Sequence, residues 1–561
     1  MYKLFISNTT NSAIEGVIDE LGKNNINEGA QHVVLCPPNY GWSIEKLVHE
    51  RLGLDGSFNI KVTSFARLAR ELVKVSNKRL GKEGAVLLMY QVLSEVEQDL
   101  VHYNKMVGDL NFASKMYGTV SLLISNDVST EDILQKTEGK KGATINKLRD
   151  LAIVMKAYEE KKKDRYIDDL ERQTLLIESI RNGDYFKDKN VYVLGFNDLS
   201  ELELTIIKEV EKKANSVNIA LCRQAGDLLN GTLFPNKMIE DISGLIASEG
   251  VSAEDVNLIE VLKSPIDKLY GYIFSYNSAT SKTEKTDKIK VFKEPNVYEE
   301  INAVAHEVCK LVNREGYRYK DITIVSCCDK YQKEIAHIFD RYNIPVFVNI
   351  NFPLSQAIST VFLISCLEVA KYNYRADKVA VFIKHPLFLS VGGKENNITA
   401  DDIFKFENHI LEKNIKHNAF LEPITESEVF ETIRKRLVSL VDPFNEAAKD
   451  TATALVRASI QLLSQVQEAQ DNLILKEKDE KENKGQVEEA NMKAYGILKD
   501  LLKENEVLFG NEKMDIRMFE KHIKTLFSQR QIAMLPRFLD SVFVGDMLQD
   551  CILRSKVIFV V

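Results

Sequence analysis

Residues 2–12 read YKLFISNTTNS, a short apolar run at Tyr2–Ser7 followed by Asn8-Thr9-Thr10-Asn11-Ser12, with helical spacing beginning near Ala13. A strand that feeds a helix through a short loop is the first unit of a parallel α/β sheet. In a nucleoside-triphosphate enzyme that loop carries G-x-x-x-x-G-K-[ST], whose glycines let backbone N–H groups cradle phosphate while the lysine reaches it. Here the loop holds neither glycine nor lysine. The α/β fold is therefore expected without nucleotide chemistry at this junction.

The same alternation continues outward. Val33–Cys36 is a short buried strand stopped by Pro37-Pro38, Ile44–Leu52 is helical, Asn59–Val62 is a second strand, and Thr63-Ser64 caps a helix predicted over Phe65–Val75. It recurs at strand Asn190–Phe196, helix Glu201–Ala214 and strand Ser216–Cys222. Residues 1–80 and 187–276 thus read as one α/β domain interrupted at 81–186 by a helical insertion. Asn277–Lys288 is polar and reads as a linker. A second α/β unit follows at 289–354: strand Lys288–Phe292, helix Tyr298–Arg314, strand Asp321–Cys328, helix Lys330–Tyr342 and strand Pro345–Val348. Residues 355–540 are again mostly helical, with the charged stretch Lys476–Glu489 read as a solvated arm joining two helices. The unit resumes at 541–561 and ends on Lys556–Val561 (KVIFVV), a run apolar enough to lie inside a sheet. The expectation is a fragment or a shortened gene product whose second α/β domain is incomplete.

At 561 residues the chain exceeds the roughly 250–300 residues at which single cores stop growing, so about four units are expected. With 45% hydrophobic and 28% charged residues it is an ordinary globular composition. Lys and Arg number 74 against 82 Asp and Glu, so nucleic-acid binding has to come from local basic patches and not from a global field. The seven cysteines are scattered, without a C-x-x-C pair, as reduced thiols in a cytoplasm would be; Cys327-Cys328 reads as plain core. No run of 18 apolar residues exists, and neither secretion nor a membrane span is expected.

Several segments, VVLCPPNYGWSIEKLV, VTSFARLAREL, VYVLGFNDLSELE, EPNVYEEINAVAHEVCKLV, IPVFVNINFPL, IKHPLF and VFVGDMLQDCILRSKVIFVV, together resemble the N-terminal half of the B subunit of bacterial AddAB/RexAB helicase–nucleases. The resemblance implies two RecA-like, UvrD-type halves with helical insertions, followed in the family by a nuclease domain with an iron–sulfur cluster and Mg²⁺. That domain lies outside this chain, so no cofactor is expected here. The resemblance also implies a heterodimer with a motor A subunit (AddA/RexA-like), single- and double-stranded DNA as partners, double-strand break resection for recombinational repair, and reading of a Chi-type signal. Two departures bear on the motor: the phosphate loop is absent, and Leu194-Gly195-Phe196 stands where the family often has Asp-Gly-Phe. Leucine cannot hold Mg²⁺ through water.

Candidate DNA-contacting residues are Asn39, Trp42, Phe65, Arg67, Arg70, Lys74 and Phe196; no catalytic or metal-binding residue is assigned. Arg67, Arg70, Lys74 and Lys78 fall at spacings of three and four, one basic stripe able to track phosphates, or else a solvated amphipathic face. Phe65 is a base-stacking platform or a core residue. Phe65 and Arg67 match a Ser-Phe-x-Arg-Leu-Ala motif of the resembled family. Asn39 to Trp42 form a loop at the C-terminal edge of the sheet, where open α/β folds bind ligands. There Asn39 and Gly41 stand in for the family's Gln/Thr pair, and Trp42 serves packing or DNA contact. Phe196 has the same two readings. His306-Glu307 lacks the second histidine of H-E-x-x-H, position 310 being lysine. Lys384-His385-Pro386 reads as a helix C-cap or a phosphate contact. The reading is a non-motor, helicase-like protein that binds DNA within a larger complex. An autonomous ATP-driven helicase or nuclease, and a scaffold without DNA binding, are the alternatives.

Overall fold

The computed structural model describes residues 1–7, 9–24, 31–75, 78–163, 165–223, 234–258, 286–326, 329–348, 351–391, 398–480, 485–533, 540–546 and 555–561. Strands β1 (Tyr2–Ser7), β2 (Gln31–Leu35), β3 (Ile60–Thr63), β6 (Lys189–Val193), β7 (Ser216–Cys222) and β8 (Ala253–Asn257) form one sheet in the order β3-β2-β6-β7-β1-β8. Two-residue strands β4 (Lys78–Arg79) and β5 (Tyr166–Ile167) pair separately. All neighbours in the large sheet run parallel, as β1 on β7 and β2 on β6 do. Parallel sheets are covered on both faces, and the strands show it residue by residue. Val33, Leu35, Val191 and Val193 enter one core with helices Phe65–Leu72, Asp169–Asn182 and Glu201–Glu211. Their neighbours Val34, Cys36, Tyr192 and Leu194 enter the opposite core with helices Thr10–Lys23 and Gly41–Leu52.

A second, four-stranded parallel sheet has the order β10-β13-β9-β14, from β9 (Ile322–Ser326), β10 (Val346–Val348), β13 (Val542–Asp546) and β14 (Val557–Val560). Helices Val297–Glu315 and Asp329–Arg341 lie with it. β11 (Phe352–Pro353) and β12 (Gln531–Ile532) form a short antiparallel pair. The helical stretches before β5 and between β10 and β12 share one apolar core, running from Leu80 and Tyr90 to Phe362, Phe444 and Phe527. Polar contacts cross the same seam: Gly81 N donates to Glu504 Oε1 at 3.3 Å and Arg530 pairs with Glu83 at 3.3 Å. Among the described residues no helix is long and apolar enough to cross a membrane.

Local capping sets most boundaries. Thr9, Ser64 and Ser200 each accept a backbone N–H of the first turn, Ser200 in a full capping box with Glu203. Three expectations change. The helix predicted over Phe65–Val75 stops at Leu72, because Val73 turns extended and is buried at 5% exposure, so Lys74 and Lys78 leave the helical stripe. Lys288–Phe292 makes no strand; it has no ladder partner, and Val291 is 92% exposed. The C-terminal apolar run is an edge strand beside β9, with Ile558 and Val560 exposed, and not an interior one. Lys476–Glu489 joins two helices as expected: helix Ala452–Glu480 runs into it and helix Gly485–Phe509 begins within it. Cys327-Cys328 and most of the 277–288 linker lie outside the described residues.

Candidate nucleic-acid interface

Three loops leave the C-terminal edge of the large sheet side by side, because β2, β3 and β6 are adjacent and parallel. After β2 comes the turn Pro38–Tyr40; after β3, Ser64 opens the helix bearing Phe65; after β6 the chain turns through Gly195 into Phe196. Phe65 and Phe196 meet with ring centroids 5.5 Å apart. Phe65 is 3% exposed, whereas Phe196 is only half-buried. The buried ring therefore backs the more exposed one.

Gly195 has φ +77°, and a Cβ built there would sit 2.7 Å from Tyr40 Cδ2. Neither feature suits a side-chain-bearing residue, so glycine permits the β6 turn to close onto the β2 turn. Gly195→Ala is expected to cost roughly 2 kcal/mol from the left-handed backbone and the contact with Tyr40. Chemical denaturation measures this, and an alanine variant as stable as the parent would refute it.

Arg67 stands on the exposed side of the same helix, and its guanidinium makes no hydrogen bond or ion pair among the described residues. It lies within electrostatic reach of Cys36, whose thiol is pushed up to about 12 by burial, with Arg67 pulling the other way and Glu45 adding to the rise. That thiol is inert, a packing group under the loops. Arg70 is engaged: its Nη2 lies 3.0 Å from Asp169 Oδ2. Lys74 is exposed beyond the helix end. Asn39 is exposed in the β2 turn, and Trp42, 45% exposed, carries Lys46 Nζ 5.3 Å from its ring centroid. Trp42 is therefore a surface ring, not core.

At the β1–helix junction Thr9 Oγ1 accepts from Ser12 N at 3.2 Å, which satisfies one of the four free N–H groups of that helix start. Leu194 is fully buried among apolar neighbours. His306 contacts Tyr342, its Nε2 3.1 Å from the hydroxyl, and Glu307 pairs with Lys290 and Lys310. No cluster able to hold a metal occurs among the described residues. Helix Ala376–Ile383 ends there as expected, with Lys384 as its C-cap and His385 N donating to Phe382 O at 3.1 Å; the His385 ring also caps the following helix, its Nδ1 accepting from Leu387 N at 3.2 Å, and the Lys384 ammonium pairs with Glu407. Sequence reading missed Tyr40, whose role depends on a loop more than 150 residues away; the glycine before Phe196 was the available signal.

The family model described as ADDB, N-terminal matches residues 7–264, which contain the whole interface. Over 96% of this chain and 50% of its own length, the B subunit of the ATP-dependent helicase/deoxyribonuclease of a Thermoanaerobacter species is 25% identical. The chain is similar to the AddB family. Other AddB relatives of the same name are that of Caldanaerobacter subterraneus, 25% identical over 96% of this chain and 49% of its own, and that of Listeria monocytogenes, 22% identical over 97% and 50%. The chain spans about half the length of the curated AddB relatives it matches.

Proposed function

We propose that this chain is a helicase-like, non-motor DNA-binding part of the B subunit of a helicase/deoxyribonuclease, its two α/β units RecA-like, holding and inspecting one DNA strand while a separate A subunit supplies the motor. The observation that carries the reading is the Phe196 ring, backed by Phe65 at the C-terminal edge of a parallel sheet, with Arg67 exposed on the Phe65 helix and unpaired among the described residues. Open α/β sheets bind ligands at that edge. An aromatic platform with such a cation on its supporting helix suits a single strand, since base–aromatic stacking contributes roughly 1–3 kcal/mol whatever the base. The relatives' names support the helicase/deoxyribonuclease context. Break repair, reading of a Chi-type signal at this edge and a bacterial cytoplasmic setting belong to the same reading.

The test is binding of a fluorescent single-stranded oligonucleotide across a salt series. Phe196→Ala is expected to weaken affinity about tenfold with the salt dependence unchanged. Arg67→Ala is expected to lower the salt slope by about 0.7, the loss of one single-strand phosphate contact. Unchanged affinity in both variants refutes the proposal and favours a scaffold without DNA binding. ATP turnover by the purified chain would favour an autonomous motor.

A further inference from the structure

Helix Phe65–Leu72, strand β4 and helix Asp169–Asn182 bring together three arginines that are far apart in sequence. Arg70 places Nη2 3.0 Å from Asp169 Oδ2 and Nε 3.4 Å from Oδ1. Arg79 Nη2 reaches Asp169 Oδ1 at 3.8 Å. Arg172, one turn along from Asp169, is held below the usual arginine range by burial and by the charges of Arg79 and Arg70, with Asp169 opposing. Its Nε is buried and has no hydrogen-bond partner among the described residues. Two guanidiniums thus pair with one carboxylate, and the third lies within its electrostatic reach.

The other acids nearby offset them only in part, since Asp168 and Glu171 share one lysine. Asp168 and Glu171 are paired with Lys162 at 3.2 and 3.3 Å. Glu504 lies within electrostatic reach of Arg79, but burial and Glu83 push its carboxyl up, which disfavours its charged form. Glu83 itself pairs with Arg530. Like charges gathered in one place repel, and an added anion relieves the repulsion. Guanidinium forks match phosphate oxygens, often two bonds at a time.

The location selects the kind of phosphate. Arg70 follows Phe65 by five residues on one helix, about 7.5 Å along its axis. A strand stacked at Phe196 and running along that helix would pass over the cluster. We infer that Arg70, Arg79 and Arg172 form a phosphodiester-binding site that anchors the backbone of a nucleic-acid strand next to the Phe65–Phe196 platform. The inference rests on the DNA-binding reading above for its ligand, and on the arginine geometry alone for its affinity for phosphate.

The experiment uses the full chain and an Arg79→Gln/Arg172→Gln variant, each with an oligothymidine strand over a salt series and, separately, with inorganic pyrophosphate in a thermal-shift assay. Expected are binding about fivefold weaker at the lower salt, a salt slope reduced by about 0.7, and loss of the pyrophosphate shift that the parent shows. A variant keeping both the slope and the shift overturns the site, even though DNA binding as such stands. If the parent binds no oligothymidine, the DNA reading falls. The pyrophosphate shift then decides the cluster: a shift abolished by the substitutions supports it, and no shift overturns it. Arg79→Gln alone, at a side chain 51% exposed, keeps the test open should the double variant not fold.

Discussion

Replacing Asp150 by alanine is expected to remove about 4 kcal/mol of stability, since bonds to a charged acceptor contribute roughly 1.5–3 kcal/mol each and do not add fully. Asp150 is 1% exposed on helix Ala143–Lys162. It accepts three consecutive backbone N–H groups: Val101 on Oδ1 at 3.0 Å, and His102 and Tyr103 on Oδ2 at 2.7 and 2.9 Å. These groups lie in the bend between two single-turn 3₁₀ helices, Glu97–Asp99 and Asn104–Met106, where no ladder or helix supplies another acceptor. Alanine leaves all three donors without their partner. Asparagine keeps one acceptor oxygen but turns an amide N–H₂ toward the rest, so Asp150→Asn is expected to lose about half as much. Urea midpoints of the two variants give the comparison, and an alanine variant within 1 kcal/mol of the parent would show that water or a rearranged bend replaces the carboxylate.

Acid is expected to weaken the fold well before the carboxylates titrate. His522, 1% exposed, lies between Tyr90 and Phe509 at 5.4 and 4.8 Å between ring centroids, and neither ring nitrogen has a hydrogen-bond partner among the described residues. Burial, with Lys521 adding to it, pushes its pKa down to about 4. His385 is likewise pushed down to about 4 by burial, and its Nδ1 has to be unprotonated to accept from Leu387 N. Both folded values lie below the ordinary histidine value of 6.5, so the unfolded chain binds the extra protons. Stability is then independent of these groups above about pH 6.5 and falls as pH drops from there to about 4, by roughly 1 kcal/mol per pH unit for each histidine. Further loss below about pH 4.5 belongs to carboxylates such as Glu431, held down to about 2 mainly by its hydrogen bonds to Arg434. His522→Phe keeps an aromatic ring in the sandwich, and His385→Asn keeps an N-cap. The double variant should therefore lose much less melting temperature between pH 7 and pH 5 than the parent does. An equal loss in both proteins would refute the assignment.

The cap at Ser64 was legible because a side chain there bonds a backbone group three residues on. The alternation of Val33, Val34 and Leu35 was legible because a strand between two helical layers has to be apolar on both faces. By contrast, the end of the Phe65 helix was misread: its basic spacing continues through Lys74, but burial of Val73 pulls the chain out of the helix. Lys288–Phe292 has strand composition and no strand, since a strand also requires a neighbour to pair with.

By itself the sequence determined the α/β class, the positions of strands β1, β2, β3, β6 and β7, the junction without glycine or lysine after β1, and the candidate residues Phe65, Arg67 and Phe196. Each of these depends on residues within a few positions of one another, the range over which periodicity, capping and turn chemistry act. Only the tertiary structure decided that Phe65 is the buried support and Phe196 the accessible ring, that Arg70 is already paired, and that Arg79 and Arg172 join it around Asp169. Those outcomes depend on which strands lie side by side and on which side chains the packing excludes from water. Both are set by contacts across 90 residues or more of chain, where local spacing carries no information.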